Sequence, residues 1–387
     1  MELVSPRMDN SKGHDIFADA AGLLLQENGI NYHSSTLKPQ SPTPLTGLGW
    51  RVVEAGKQGM SHLTSQRAGS ALLHMAGEIL RHGAGALRNS DFFTDILLAD
   101  YRAQFGEELP ERIISSHYLA FNVDKLDGAQ GVYIGPDLVA HPALLKSLER
   151  LTVRVLSPCG SFTQSTDRLM RQSSVAGNRR IASTEIINSG TIIPEQAYAS
   201  IEPRLARLER INEGRAKHRA FINIGASGPE RNEVITAIDF LMQQGAERIS
   251  VVCGTDRTDN NKFRSKLETK YRNAPQLRLY GAQPGYNRET ELLDYFGELF
   301  DQENTLCITR PNETLLLAAS MAYKVLLLAP YQIHEQEGHD IVTSNGYAQT
   351  LGSALQSGIS KFDTAAYMHS NWIKPALPGD ALKYLTE

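Results

Sequence analysis

The sequence has few features of an exported or membrane-spanning protein. None of its apolar runs approaches the roughly 18–20 residues that a helix needs to cross a bilayer. Its N-terminus lacks the basic segment and apolar core that mark a secretory signal. These absences predict a cytoplasmic protein whose contact with a membrane would be peripheral at most.

Cysteine and excess charge are also scarce. Cys159, Cys253 and Cys307 lie far apart without a metal-binding spacing, and each falls in or beside an apolar run typical of a strand. We expect them to be small buried residues of a protein in a reducing compartment. The formal net charge is −4, so the composition does not indicate nucleic-acid binding.

The sequence does contain a repeated alternation of short apolar runs with longer stretches of helical periodicity. This alternation is typical of α/β proteins with parallel sheets, and the length suits two domains of about 150–200 residues. We predict two doubly wound domains, 1–194 and 219–360, joined by the charge-rich stretch 195–218 as an exposed helix and linker. A basic face for a phosphate-bearing partner is the alternative for that stretch. A helical tail, 361–387, could pack back on the first domain.

The segment 304–346 carries the most information about function. It indicates a strand, a polar turn, a helix (314–323), a second strand and a polar loop (331–340). The turn and the loop both follow strands of a predicted parallel sheet. They therefore lie at its carboxyl edge, where ligands of such sheets bind.

A glycine-containing loop, Gly225 to Gly228 with Ser227, connects a predicted strand to a predicted helix. Glycine lets the backbone approach a ligand closely, and the helix that follows presents free amide groups. Such a loop suits a diphosphate, although a purely structural turn would use the same residues.

The turn of segment 304–346 contains one cationic side chain, Arg310. Its guanidinium could pair with phosphate oxygens, or it could form a surface salt bridge. Asn312 or Thr314 could cap the helix that follows.

The polar loop from 332 to 340 holds carboxylates, amides and two histidines. Carboxylates and amides suit bidentate hydrogen bonding to sugar hydroxyl groups. A metal site made of His334, His339 and the neighbouring acids is the competing interpretation, and a solvated loop is the third.

Three histidines in the first half are candidate acid–base residues. His14 follows the first predicted strand and could take a proton from an attacking hydroxyl near neutral pH. His117 ends another strand, and His141 lies in the sequence Val-Ala-His-Pro (139–142). A helix N-terminal residue without a ligand is the alternative for His14.

Several segments match motifs of one enzyme family. The first loop ends in Gly13-His14, where the family tends to have Gly-Gly-Gly-His, and Ile-Ile-Ser-Ser-His (113–117) echoes Ile-Ile-Ser-Thr-His. Gln336-Glu337-Gly338 fits the family's Gln-Glu followed by Gly or Asn. The chain thus resembles GT-B glycosyltransferases, in particular the branch with MurG and monogalactosyldiacylglycerol synthase.

The resemblance implies two Rossmann-like domains facing a central cleft, with a nucleotide sugar, expected to be a UDP-sugar, bound by the C-terminal domain. The N-terminal domain would bind a small-molecule, lipid or glycan acceptor, with His14 as general base and His117 and His141 on the acceptor side. No metal or cofactor is expected, because helix dipoles and an arginine stabilise the leaving diphosphate. The donor-binding positions would be Gly13, Gly225, Ser227, Arg310, Asn312, Glu313, Thr314, Gln336, Glu337 and Gly338.

One position departs from the family pattern. An acidic residue usually follows the threonine by three positions and holds the ribose, but here Leu317 follows Thr314. Glu313 could substitute for it. The leading interpretation is a metal-independent hexosyltransferase that uses a nucleoside-diphosphate sugar and a hydroxyl acceptor. The alternatives are a nucleotide-sugar 2-epimerase and a non-catalytic nucleotide-sugar-binding or scaffold protein.

Overall fold

The chain forms two compact units, each built on one six-stranded parallel sheet. The first unit comprises residues 1–194, Tyr331–Ile333 and Ala376–Glu387, and the second comprises Glu195–Pro330 and His334–Pro375. The prediction of two doubly wound α/β domains is confirmed. The computed structural model describes residues 3–8, 15–37, 102, 112–117, 130–140, 144, 152–175, 184–223, 231–330, 333–369 and 373–387.

Strands and helices alternate along the described chain. The strands are β1 (Leu3–Met8), β2 (Tyr32–Leu37), β3 (Arg112–Ser115), β4 (Gln130–Ile134), β5 (Thr152–Ser157), β6 (Glu185–Asn188), β7 (Arg219–Asn223), β8 (Arg248–Val252), β9 (Leu277–Tyr280), β10 (Leu306–Thr309), β11 (Lys324–Leu327) and β12 (Ala348–Thr350). The helices are α1 (Asp15–Glu27), α2 (Gly160–Val175), α3 (Glu195–Ala199), α4 (Ile201–Asn212), α5 (Arg231–Gln243), α6 (Thr258–Lys270), α7 (Arg288–Phe300), α8 (Glu313–Ser320), α9 (Ile333–Ser344), α10 (Leu351–Ser357), α11 (Thr364–Met368) and α12 (Pro378–Thr386).

The first sheet has the strand order β2-β1-β3-β4-β5-β6, with every pair parallel. Its third strand is buried at all four positions, as expected for a parallel strand that is covered on both faces. The order reverses between β1 and β3, since the chain first adds β2 on one side and then continues on the other. The carboxyl ends of β1 and β3 therefore flank the switch point of this sheet.

The end of the chain belongs to the first unit. The Ala376 backbone N–H donates to the Thr191 carbonyl at 2.9 Å. Arg112 and Arg154, in strands β3 and β5, donate to the carbonyls of Leu385 and Tyr384 at 3.2 and 3.4 Å. These guanidinium groups donate to carbonyls in the last turn of α12, which receive no N–H donor from a further helical turn.

The second sheet has the order β12-β11-β10-β7-β8-β9, again with every pair parallel. Counted from β7 as the first strand of the unit, this is the 3-2-1-4-5-6 order of dinucleotide-binding Rossmann folds. Its switch point lies between β7 and β10. Ligands of such sheets bind outside the carboxyl ends of the two strands that flank this point.

Helix α4 is packed into the second unit, so the expected solvated helix over 195–218 is wrong for its inner face. Arg204 is fully buried there and stacks on the Tyr323 ring at 4.1 Å from the ring centroid. Its guanidinium donates to the carbonyls of Asn304 and Met321, both at 2.7 Å, and to that of Asp301 at 3.0 Å. Backbone carbonyls thus satisfy this buried cation.

Residues 333–344 form helix α9, so the predicted loop over 331–340 is wrong over its described part. Glu335, Gly338 and Val342 are buried and follow one another at helical spacing. The polar composition that indicated a loop belongs to the outer face of this helix. Strand β12 and helix α10 were not predicted from the sequence.

Candidate functional site

The switch point of the second sheet is formed by the ends of β7 and β10. Asn223 is the last residue of β7, and Thr309 is the last residue of β10. A short turn after Thr309 leads directly into α8, and Arg310 lies in it. The predicted placement of this turn at the carboxyl edge of a parallel sheet is confirmed by the topology.

Asn312 is the N-cap of α8. Its side-chain oxygen accepts from the Thr314 backbone N–H at 3.2 Å and from the Thr309 hydroxyl at 3.1 Å. The capping role that the sequence offered for this residue is therefore confirmed. The cap accepts a hydrogen bond from one backbone N–H of the first turn. The other N–H groups of that turn have no acceptor within the helix.

Thr314 is 1% exposed, and its hydroxyl is held inside the protein. The Tyr295 hydroxyl lies 3.1 Å from Thr314 Oγ1, and the Asn223 amide nitrogen donates to the same oxygen at 3.0 Å. Thr314 therefore links β7, α7 and α8 at the switch point. Burial raises the pKa of the Tyr295 hydroxyl, so this group stays protonated.

Arg310 forms an ion pair with Glu335 of α9. The guanidinium Nη1 lies 3.2 Å from Glu335 Oε1, and the two side chains are 11% and 5% exposed. The pair is thus largely buried. Each of the two charges needs the other because it has lost its contact with water. The prediction of a surface salt bridge for Arg310 is wrong, because the pair is buried. It lies at the sheet edge where the turn was expected to bind phosphate.

Gln336 and Glu337 lie exposed in the first turns of α9, while Gly338 is buried. The Gln336 amide donates to Asp340 Oδ1 at 2.8 Å, and the His339 ring nitrogen lies 3.2 Å from the same oxygen. These hydrogen bonds hold the pKa of Asp340 below its usual value. The side chain of Glu337 is presented to solvent on the same helix.

The two histidines of the alternative metal site, His334 and His339, lie five positions apart on α9. Among the residues that the structure describes, no group of three or more potential ligands has a metal-binding arrangement.

Leu317 is fully buried, so the position where a ribose-binding acid was sought faces the core. Glu313, the proposed substitute, is the first residue of α8 and is half-buried at the switch point. It lies one turn before Leu317, on the same side of the helix.

A second carboxylate reaches this edge from α5. Glu233, in the first turn of that helix, accepts a hydrogen bond from the Ala329 backbone N–H at 3.0 Å. Ala329 follows β11. The N-terminal turns of α5, α8 and α9 all follow strands at this edge, so their helix dipoles add positive potential there.

In the first unit, His117 follows β3 and is 7% exposed. Its backbone N–H donates to the Ser115 hydroxyl at 3.1 Å. It lies near one of the two strand ends that flank the switch point of that sheet. The remaining site candidates, Gly13, His14, His141, Gly225 and Ser227, lie outside the described residues.

Sequence reasoning missed Asn223, Tyr295 and Glu233 as residues of this edge, and it placed Glu335 in a polar loop without predicting its pairing with Arg310. A polar residue that closes an apolar strand, as Asn223 does after Phe221 and Ile222, is a signal that could have found one of them. The others come from helices, and their placement depends on how each helix packs on the sheet.

No family model matches the chain, and no curated protein matches it. Solved structures do resemble its fold at low sequence identity. Acinetobacter baumannii MurG is 14% identical, with a TM-score of 0.47 and coverage of 99% of this chain and 98% of MurG. Phytolacca americana UGT2, complexed with UDP-2-fluoro-glucose and pterostilbene, is 10% identical, with a TM-score of 0.47 and coverage of 99% and 92%. The UDP-N-acetylglucosamine 2-epimerase of Rickettsia bellii is 8% identical, with a TM-score of 0.41 and coverage of 89% and 88%.

The similar structures thus include MurG and other glycosyltransferases, together with an epimerase. The functional argument below rests on the residues of this chain. Among the described helices, none is long and apolar enough to cross a membrane.

Proposed function

We propose that this protein is a metal-independent glycosyltransferase that moves a hexose from a nucleoside-diphosphate sugar, with UDP the expected nucleotide, to a hydroxyl acceptor. The observation that carries the proposal is the 3-2-1-4-5-6 strand order of the second sheet, with Arg310 and the first turn of α8 at its switch point. This edge combines a cation with helix N-termini, which is the chemistry that binds a diphosphate.

In the proposed reaction, an acceptor hydroxyl oxygen attacks the anomeric carbon of the donor sugar. The bond between that carbon and the diphosphate oxygen breaks, and its electron pair leaves with the diphosphate. His14 takes the hydroxyl proton. Arg310 and the helix N-termini stabilise the charge that develops on the leaving group, so the reaction needs no metal ion.

The proposed donor contacts follow from the side chains at the edge. Gln336 and Glu337 are exposed on α9 and offer an amide and a carboxylate to sugar hydroxyls. Glu313 offers a carboxylate to the ribose from the start of α8. Gly225 and Ser227 complete the diphosphate site in the proposal, and Gly13 lies beside the proposed base. His117 and His141 are assigned to an acceptor that is a small molecule, a lipid or a glycan.

Nucleotide binding tests the first half of the proposal. We expect UDP to stabilise the protein in a thermal-shift titration, and calorimetry to give its Kd. Arg310→Met should weaken UDP binding by about tenfold or more, because a charge-assisted hydrogen bond to phosphate is lost. Arg219→Met is the matched control, since Arg219 pairs with Glu247 at the opposite, amino end of β7. Equal affinities in the wild type and in Arg310→Met would contradict the proposed site.

Product analysis tests the second half. A transferase releases free nucleoside diphosphate and a glycoside, whereas an epimerase returns an altered nucleotide sugar. His14→Ala should abolish turnover and leave the Kd of UDP unchanged, since the proposed base contacts the acceptor.

The buried Leu317 favours one other candidate, a nucleotide-sugar-binding protein without turnover. It would bind UDP with the same sensitivity to Arg310→Met, and incubation with UDP-sugars and hydroxyl acceptors would release no UDP.

A further inference from the structure

A lysine and a serine from distant parts of the sequence meet at the amino edge of the second sheet. Lys324 is the first residue of β11, and Ser360 follows α10. The Lys324 ammonium nitrogen lies 2.5 Å from the Ser360 hydroxyl oxygen, although the two residues are 36 positions apart in the chain. The contact lies at the opposite edge of the sheet from the candidate nucleotide site.

The contact joins a buried amine to a serine at the surface. Lys324 is 8% exposed, whereas Ser360 is exposed. Among the described residues, the Ser360 hydroxyl is the one hydrogen-bond partner of the ammonium, and no carboxylate pairs with it. Burial disfavours the charged form and lowers the pKa of Lys324 to about 8. Part of the amine is therefore neutral near physiological pH, and its nitrogen can then accept a proton.

The charged and titratable groups around Lys324 do not supply it with an anion. Burial, with the positive charges of Lys324 and Arg207, lowers the pKa of His218 to about 4, so this imidazole is neutral at pH 7. Arg207 is paired with Glu247 and Glu303 at 2.5 and 2.8 Å. Of these groups, Lys324 is the one whose protonation changes between pH 7 and pH 9.

Gln349 of β12 holds the serine from a second side. Its side-chain oxygen accepts from the Ser360 backbone N–H at 3.0 Å and from the Ser360 hydroxyl at 3.1 Å. The amide nitrogen of Gln349 donates to the Gly358 carbonyl at 3.0 Å. The hydroxyl hydrogen is thus bound to Gln349 while Lys324 is charged, and the neutral amine offers it a second acceptor.

The loop that carries Ser360 is tied to α4 and has a backbone donor beside the serine. The Asn212 side chain accepts from the Phe362 backbone N–H at 3.1 Å and donates to the Phe362 carbonyl at 2.8 Å. The Lys361 backbone N–H has no acceptor among the described residues. The N–H directly after a nucleophilic serine is a common donor to the oxygen that gains charge in acyl transfer.

We propose that Ser360 and Lys324 form a nucleophile and its general base, and that they transfer acyl groups from carboxylic esters as a second activity of this protein. The reaction class follows from the two side chains. A serine hydroxyl within hydrogen-bond reach of a buried amine that can lose its proton is an arrangement that acylating enzymes use on unrelated folds.

Each step of the proposed reaction balances. The neutral Lys324 amine takes the hydroxyl proton while Ser360 Oγ forms a bond to the ester carbonyl carbon. The Lys361 backbone N–H donates to the carbonyl oxygen, which becomes negative. The bond to the alcohol oxygen then breaks, and that oxygen takes the proton from Lys324. Water attacks the acyl-serine with the same base, which releases a carboxylic acid and restores Ser360.

Covalent labelling tests the nucleophile. We expect the wild-type protein to react with a fluorophosphonate probe and with p-nitrophenyl acetate, and peptide mass spectrometry to find the phosphonyl and acetyl groups on Ser360. Ser360→Ala should lose both adducts, and its exposed position makes a folded variant the expected result. Ser357→Ala is the matched control. Ser357 is also exposed, but its hydroxyl donates to the Ser353 carbonyl at 2.9 Å, so its substitution should leave the labelling rate unchanged.

Two substitutions of Lys324 test the base. Lys324→Arg keeps a cation and a hydrogen-bond donor beside Ser360 but cannot take a proton, so we expect labelling to slow by about 100-fold or more. Lys324→Met should cause a loss of similar size. Melting temperatures establish that each variant is folded.

The pH profile separates catalysis by Lys324 from a structural role. The wild-type labelling rate should rise with pH and level off above about pH 8, because the neutral amine is the reactive form. Lys324→Arg should lack this plateau. The proposal would be overturned by wild-type protein without an adduct on Ser360, by equal labelling of Ser357, or by a folded Lys324→Arg variant that reacts at the wild-type rate. None of these results bears on nucleotide binding at the carboxyl edge.

Discussion

At the scale of single residues, two arginines are buried and hydrogen-bonded or paired, although the sequence around them indicates exposure to solvent. Arg204 is the strongest case, because its guanidinium is fully buried and is held by backbone carbonyls of the second unit. Arg310 is the second case, with a carboxylate as its partner. Both residues lie in stretches whose composition indicated solvent.

Replacing Arg204 tests how much this buried group contributes to stability. Arg204→Met should lower the free energy of unfolding by about 3–5 kcal/mol, because several buried carbonyls lose their donors at once. Arg210→Met, on the exposed side of the same helix, should change it by less than about 0.5 kcal/mol. Urea denaturation measures both values, and equal effects in the two variants would show that α4 is not held by Arg204.

At the scale of secondary-structure elements, α9 contributes both buried residues and residues of the candidate site. Its buried stripe of Glu335, Gly338 and Val342 packs inward, and the carboxylate of that stripe pairs with Arg310. A diphosphate that binds Arg310 therefore competes with a carboxylate already in contact with the guanidinium. The position of α9 and the affinity for the ligand are coupled through this pair.

Substituting Glu335 tests the competition. Glu335→Gln removes the negative charge and keeps the shape, so we expect tighter UDP binding by several-fold and a lower ligand-free melting temperature. Asp340→Asn is the control, because Asp340 is exposed on the same helix and contacts neither Arg310 nor Glu335 in the described contacts. Weaker UDP binding in Glu335→Gln would mean instead that Glu335 holds Arg310 ready for the ligand.

At the scale of the whole molecule, the two sheets share parallel architecture but differ in strand order, and only the second has the Rossmann order. Its carboxyl edge carries the candidate site. Its amino edge carries a polar cluster in which Lys324, Arg207 and Thr305 are buried, His218 is half-buried and Ser360 is exposed. Burial, with the nearby charges of Lys324 and Arg207, lowers the pKa of His218 to about 4. Burial lowers the pKa of Lys324 to about 8, and its ammonium contacts the Ser360 hydroxyl.

These two pKa values predict how stability depends on pH. The unfolded chain binds more protons than the folded chain between pH 4 and 6.5 because of His218, and between pH 8 and 10.5 because of Lys324. The contribution of each group to the free energy of unfolding should therefore rise with pH across its window, by up to about 3 kcal/mol. Denaturation at a series of pH values measures it.

Variants assign each rise to its residue. His218→Gln should remove the rise below pH 6.5, and Lys324→Met should remove the rise above pH 8. Each variant is the control for the other window. A rise that persists in both variants would assign the pH dependence to other groups.

The sequence predicted the pattern of elements well because local composition determines it. The apolar runs at β3 and β5 in the first unit and at β7 and β10 in the second, with helical periodicities in each half, predicted two parallel sheets. The cap at Asn312 was also predictable, since capping depends on neighbouring residues alone. Helix α9 was not predictable, because its outer face is polar and because the partner of its buried Glu335 lies in another element.

The sequence by itself therefore determined the alternation of strands and helices, the two-sheet class, and the placement of Arg310 and Asn312 after a strand of a parallel sheet. Tertiary structure alone decided that Thr314 contacts Asn223 and Tyr295, that Glu335 meets Arg310, and that Leu317 faces the core. The physical reason is the range of the interactions along the chain. Elements form from interactions within a few residues along the chain, whereas these contacts join separate strands and helices and exist only once the helices pack on the sheet.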